Sequence, residues 1–118
     1  MSHVTIPLAE RTLQFSKAVI ALCKQEPASV IGQPIISQLI RSATSIGANY
    51  AEANNAASKA DFKNKIYTAK KEAAETEYWL ALLSKFSAQK SECRRLYKEC
   101  HYMLMTLQKI INTLRHGR

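Results

Sequence analysis

Seven residues near the C-terminal end, Cys93, Leu96, Cys100, Met103, Leu107, Ile110 and Leu114, repeat at strict three-four spacing. That period keeps all of them on one face of an α-helix, as the stripe that packs antiparallel helices at a shallow left-handed crossing. A single helix cannot bury such a stripe, so the rest of the chain has to supply partners of similar length.

Three further patterns supply them. A helix expected over 59–86 carries Phe62, Ile66, Ala69, Ala73, Thr76, Leu80 and Leu83 at alternating steps of four and three. Before it, Ser58-Lys59-Ala60-Asp61 reads as a capping box with Asp in place of Glu. A helix over 34–57 has Ile36, Leu39, Ile40, Ala43, Gly47, Tyr50 and Ala51 as its core stripe. Its run SATSIGANYAEA is rich in small residues, and Gly47 in mid-helix costs about 1 kcal/mol relative to Ala, which close packing would offset. A first helix over 7–24 places Leu8, Phe15, Val19, Leu22 and Cys23 opposite Glu10, Gln14, Lys17 and Lys24. Thr5 stands where a cap belongs, and Pro7 is tolerated in a first turn. Ser91 is the expected cap of the last helix, 92–115. The segment 25–33, with Pro27 and Gly32, reads as a loop, and no alternating strand pattern occurs. The expectation is an all-α, antiparallel up-down four-helix bundle forming one domain over 1–118, a length suited to a single core.

Several function classes are excluded at this level. No apolar run approaches the roughly 18 residues that cross a membrane, and MSHVTIPLAERTL lacks a charged segment followed by an apolar signal core. A cytoplasmic protein with no membrane partner is expected. Cys23, Cys93 and Cys100 are odd in number and form no C-x-x-C pair, which reads as buried free thiols in a reducing compartment. None of His3, His101 and His116 follows a glutamate by three positions, as a di-iron bundle requires. Glu72-x-x-Glu75 is at most half of a magnesium site, because a second acidic pair is missing. With no glycine-rich phosphate loop and no Ser or Cys near a base, the chain reads as a non-enzyme with no metal and no cofactor.

Two polar features remain. Arg41, Ser45, Asn49 and Glu52 follow one another at steps of four, four and three, with Glu72, Glu75 and Trp79 on the next helix. A polar line on a face meant for burial is costly unless its groups pair. Asn49 and Glu52 facing Glu75, with Arg41 available, form either a network that fixes helix register or a ligand site.

The second feature is a stripe opposite the seam of the last helix: Arg95, Lys98, Tyr102, Met105, Lys109, Asn112 and His116. A similar line on the third helix holds Lys63, Tyr67, Lys70, Ala74 and Ala81. The net charge is +8, and residues 87–118 hold seven basic against two acidic side chains. A localised excess of this kind points to a polyanionic partner. Tyrosine between lysines suits base stacking with phosphate contact, which makes Arg94, Arg95, Lys98, Tyr102, Lys109, Lys63 and Lys70 the nucleic-acid-binding candidates. The same mixture suits a subunit interface through Tyr67, Tyr102 and Met105, or simply a solvated helix face.

Three segments, RSATSIGANYAE at 41–52, ASKADF at 57–62 and AKKEAAETEYWL at 69–80, resemble the bacterial four-helix-bundle family of 23S rRNA intervening-sequence proteins. The resemblance implies an up-down bundle assembling as a homo-oligomer, in relatives a five-membered ring. It also implies kinship with accessory proteins of diversity-generating retroelements, where such a bundle serves a reverse transcriptase. Ser45, Asn49, Glu52 and Glu75 match the recurrent polar positions of the family. Ala53 and Lys71-Glu72 depart from its Gly and Gly-Ser, so a helix or subunit contact near residue 71 is expected to differ. The function expected is electrostatic binding of RNA or DNA by a basic homo-oligomer. The alternative is an oligomeric scaffold that binds another protein.

Overall fold

Four α-helices make up most of residues 6–116, which the computed structural model of the chain describes. They are α1 (Leu8–Lys24), α2 (Gly32–Asn54), α3 (Lys59–Leu83) and α4 (Lys90–Arg115). Among the described residues there is no strand. Each helix packs on its neighbours in chain order, and α4 closes back on α1. Short connections at 25–31, 55–58 and 84–89 reverse the direction each time. Cross-links agree: Lys65 reaches Glu52 while Thr76 reaches Ser42, and Arg11 reaches Glu99 while Gln89 reaches Leu22. The bundle measures 47 × 37 × 20 Å, two helices thick.

Local chemistry sets the helix ends, and it moves several of them from their expected places. Ser58 does cap α3, its hydroxyl accepting the Asp61 N–H at 3.1 Å. Thr5 lies outside the described residues, and Pro7 takes the position before α1. The start of α2 falls at Gly32 rather than Pro34, because Ser29 organises the turn. Its hydroxyl accepts the Gly32 N–H at 2.8 Å and its carbonyl the Gln33 N–H at 3.0 Å. Ser91 is inside α4, not before it; Gln89 takes the cap position, with its N–H on the Ser87 hydroxyl at 2.9 Å. The C-terminal ends of α2 and α3 come three residues early, where the chain tightens into turns at 55–56 and 84–86.

The core follows the seams with small rotations. Cys93, Leu96, Cys100, Met103 and Leu107 are buried, but Ile111 replaces Ile110 as the fully covered residue, with Ile110 and Leu114 half-buried. A straight helix drifts off a seven-residue repeat, and the stripe shifts by one position in its last turn. On α2 the buried set is Gly32, Leu39, Ser42, Ala43, Ile46 and Ala53, whereas Ala51 is exposed. All three cysteines are buried and unpaired, and burial pushes the Cys23 thiol up to about 11.

Gly47 sits where α2 meets α1. A Cβ there would lie 3.0 Å from Thr12 Oγ1 and 3.1 Å from Thr12 Cβ. Thr12 is itself buried, and its hydroxyl donates to the Ala9 carbonyl at 2.9 Å, so yielding to a new methyl would cost it that bond. Gly47→Ala should therefore lose more in the α1–α2 contact than the ~1 kcal/mol gained in helix propensity. Urea denaturation checks this: the variant should unfold at lower urea, and a more stable variant would refute the close-contact account.

Candidate nucleic-acid interface

The expected outer stripe of α4 is outward in full. Arg95, Lys98, Tyr102, Met105, Lys109, Asn112 and His116 are all exposed. On α3, Lys63, Tyr67, Ala74 and Ala81 are exposed and Lys70 is half-buried. The two helices are tied where Glu77 Oε2 lies 2.8 Å from His101 Nδ1 and where the Cys100 thiol donates to the Ala73 carbonyl at 3.3 Å. Because they run antiparallel, Lys63, Tyr67 and Lys70 stand beside the C-terminal half of α4, which carries Met105 and Lys109. Arg94 and Lys98 stand beside the end of α3. The two stripes thus border one face of the bundle.

Charge on that face divides into engaged and free groups. Among the described residues, Lys63, Lys70, Arg94, Lys98 and Lys109 form no ion pair. Arg95, by contrast, folds back along its helix and binds Glu92 through two bonds of 2.8 and 2.7 Å. That pair holds the Glu92 carboxyl below its ordinary range. Tyr102 is also less available than its exposure suggests. The Arg11 guanidinium lies 4.1 Å from its ring centroid while bonding Glu99 at 2.5 Å. One ring face is therefore covered by a cation–π contact, and Arg95 and Tyr102 belong to the internal wiring of the bundle rather than to a free binding set. A groove of about 320 Å³ between α1 and α4 includes Arg11, Gln14, Arg95 and Glu99 in its lining, and both arginines in it are already paired.

The polar line on α2 resolves differently from its expected form. Arg41 spans to α3, where its guanidinium bonds Glu72 Oε1 at 3.1 Å and also Glu75 Oε1. Inside this clamp the Thr76 and Ser42 hydroxyls lie 2.9 Å apart, and the Thr76 hydroxyl reaches the Glu72 carbonyl at 2.7 Å. Ser45, Asn49 and Glu52 do not join. The Ser45 hydroxyl donates to the Arg41 carbonyl at 2.7 Å, and the Asn49 amide donates to the Ser45 carbonyl at 2.8 Å. Glu52 pairs with Lys65 at 2.8 Å. Short polar side chains satisfy themselves on the preceding turn of their own helix, which removes them from a cross-helix network. The glutamates converge on a guanidinium, and among the described residues no cluster has the makings of a metal site.

Sequence reasoning missed Ser42, Arg11 and Glu99. Ser42 looked like one more small residue, and Arg11 and Glu99 are 88 positions apart with no local signal. The Glu92–Arg95 pair, at a spacing of three, was legible and went unread.

Arg41 keeps Glu75 below its usual carboxyl range, chiefly through their hydrogen bond. A depressed folded value means the stabilisation is complete above the unfolded value near 4.3 and is lost as pH falls through the folded one. Arg41 is 44% exposed, so Arg41→Gln should cost only on the order of 1 kcal/mol at pH 7. In urea melts the gap from wild type should stay flat above about pH 6 and close below about pH 4. A gap unchanged at low pH would mean that Arg41 acts through packing.

A model of the 23S rRNA-intervening sequence protein family matches residues 6–112. Among solved structures, the chain is similar to a protein of unknown function from the S23 ribosomal protein family of Bacteroides thetaiotaomicron. The two share 35% identity, the match covers 88% of this chain and 97% of that one, and the TM-score is 0.79. No curated protein matches.

Proposed function

The chain belongs to the 23S rRNA-intervening sequence protein family, and from its charge distribution we propose that it is a non-enzymatic, self-assembling protein that binds RNA or DNA through phosphate contacts. The observation that carries this reading is the set of unpaired cations Lys63, Lys70, Arg94, Lys98 and Lys109 along α3 and α4. Several acidic residues, on these helices and on α2, are already matched. Glu99, Glu72, Glu75, Glu52 and Glu92 each hold a basic partner. Among the described residues the unpaired cations lie mostly on α3, α4 and the turn between them, with Lys17 and Lys24 on α1 the exceptions. Such a face attracts a polyanion, releases its counterions and has few means of reading bases. Exposed Tyr67 offers one ring for stacking.

Self-assembly is favoured by a second observation. Leu13 and Ile20 are exposed on α1 beside an apolar groove of about 480 Å³ that includes Gly47, Ala48 and Ala51, and Met105 and Tyr67 are exposed across the molecule. A ring of subunits would bring several basic faces together. Without nucleic-acid binding, the same apolar surfaces fit a scaffold for another protein.

Filter binding with a structured RNA and a duplex DNA tests the proposal. Retention should fall linearly in log–log form as salt rises. Arg94→Glu combined with Lys98→Glu should weaken it by about tenfold or more at low salt, whereas Arg95→Gln should do much less. No retention of either nucleic acid at low salt would overturn the reading. Light scattering on the same samples should give a mass above one chain, reduced by Met105→Glu if the α4 face is the contact.

A further inference from the structure

One end of the bundle, where the 25–31 and 84–89 connections meet, exposes apolar side chains that nothing in the monomer uses. Val30 is 91% exposed, Ile31 71% and Phe86 44%. They form one patch, because the Phe86 ring lies against the backbone of Gly32, 3.4 Å from where a Cβ on that residue would stand. That Cβ would also stand 2.8 Å from Ser29 Oγ, so glycine at 32 is what lets the ring and the turn come together.

The patch rests on a tied frame. The Glu26 carboxylate accepts from the Ser87 hydroxyl and from the Gln89 amide, both at 2.6 Å, and Gln89 also donates to the Leu22 carbonyl at 3.0 Å. Ser29 holds the start of α2 as described. Val30 and Ile31 are thus displayed on a fixed turn, and a partner that covers them has little loop ordering to bear. Three lysines lie at the same end of the bundle. Lys24 ends α1, Lys85 precedes Phe86, and Lys90 begins α4 with its ammonium on the Ser84 carbonyl at 2.6 Å. The nearby carboxylates are Glu26, bound into the frame, and Glu92, paired with Arg95.

We propose that this end of the bundle docks a short segment of another protein that presents one or two large apolar side chains flanked by carboxylates. From the exposures of Val30, Ile31 and Phe86 the patch offers on the order of 350 Å², within the range of the largest apolar patch on a monomer, which is often functional. That is well under the ~800 Å² per partner of a stable dimer, and two copies meeting here would face lysines with lysines. Three lysines also fall short of the four to eight that hold a basic segment on anionic lipid. An acidic, apolar peptide satisfies both the greasy centre and the charged rim. The proposal is independent of the α3–α4 face and stands whether or not that face binds nucleic acid.

The probe is a fluorescein-labelled peptide of Leu and Phe spaced among Asp and Glu, with a version in which Ser replaces Leu and Phe. Anisotropy should show binding of the first and not the second. Val30→Asp, Ile31→Asp and Lys85→Glu should each weaken it by about tenfold, while Lys59→Glu, at the far end of the bundle, leaves it unchanged. Val30 and Ile31 are exposed, so these variants should melt as wild type does. Amide shifts in NMR should centre on residues 30–32 and 85–86. Equal binding of the serine peptide, shifts centred elsewhere, or no binding would each overturn the proposal. So would phosphatidylserine vesicles or self-association in light scattering, if either were lost on Ile31→Asp while the peptide did not bind.

Discussion

Buried hydroxyls tolerate few arrangements, and the bundle is organised around one pair of them. Ser42 and Thr76 are fully buried on facing helices with their oxygens 2.9 Å apart. Sliding α2 along α3 by one turn would leave each opposite an apolar neighbour, without an acceptor beyond its own backbone. The Arg41 clamp on Glu72 and Glu75 lies one step outside this pair and reinforces the same register, with the guanidinium facing water and Glu72 beneath it. The α2–α3 register then decides where Gly47 meets Thr12, and hence how closely α1 can approach. It also fixes where Ala73 offers its carbonyl to Cys100 on α4.

Helix number, order and most of the core were legible because three-four periodicity reports a buried face whatever lies across from it. Cys93 to Leu107 and Ile66 to Leu83 needed no knowledge of their partners. The ends were less legible, since Ser29, Ser87 and Gln89 act through turn geometry that a residue pattern does not encode. The polar line failed for a specific reason. Steps of four, four and three align Arg41, Ser45, Asn49 and Glu52 on paper, but an i−4 carbonyl lies within reach of Ser45 and Asn49. Only the long side chains cross to α3, Arg41 to Glu72 and Glu75 and, separately, Glu52 to Lys65. Ser42, one position away, carries the buried contact that spacing alone had assigned to the line.

Exposure and availability differ on the basic face, and only the folded geometry separates them. Arg95 and Lys98 share one helix face and comparable exposure. One is chelated by Glu92, while the other has no carboxylate partner among the described residues. Tyr102 is half open to solvent yet lies under Arg11, whose second partner is Glu99. The Arg11 contacts serve the α1–α4 edge, as a polar fastening beside the apolar seam, whereas Glu92–Arg95 stays within α4. A phosphate approaching Arg95 has to displace Glu92, whereas one approaching Lys98 displaces only water and counterions.

The same distinction bears on why the surplus charge is placed as it is. Basic residues added only for solubility could be scattered over every helix, since net charge acts without regard to position. Here α2 has a single basic residue, Arg41, and it is held by two glutamates. On α3 and α4 the cations outnumber the carboxylates that reach them. Repulsion among Arg94, Lys98 and their neighbours is a standing cost to the folded state, small at physiological salt because exposed charges are screened within about 8 Å. A polyanion on that face would turn the repulsion into attraction. The apolar end at Val30, Ile31 and Phe86 differs in kind, since a partner covering it would remove water rather than counterions. The two surfaces would differ in their response to salt: phosphate contacts weaken as it rises, while contacts at the apolar centre are nearly indifferent to it.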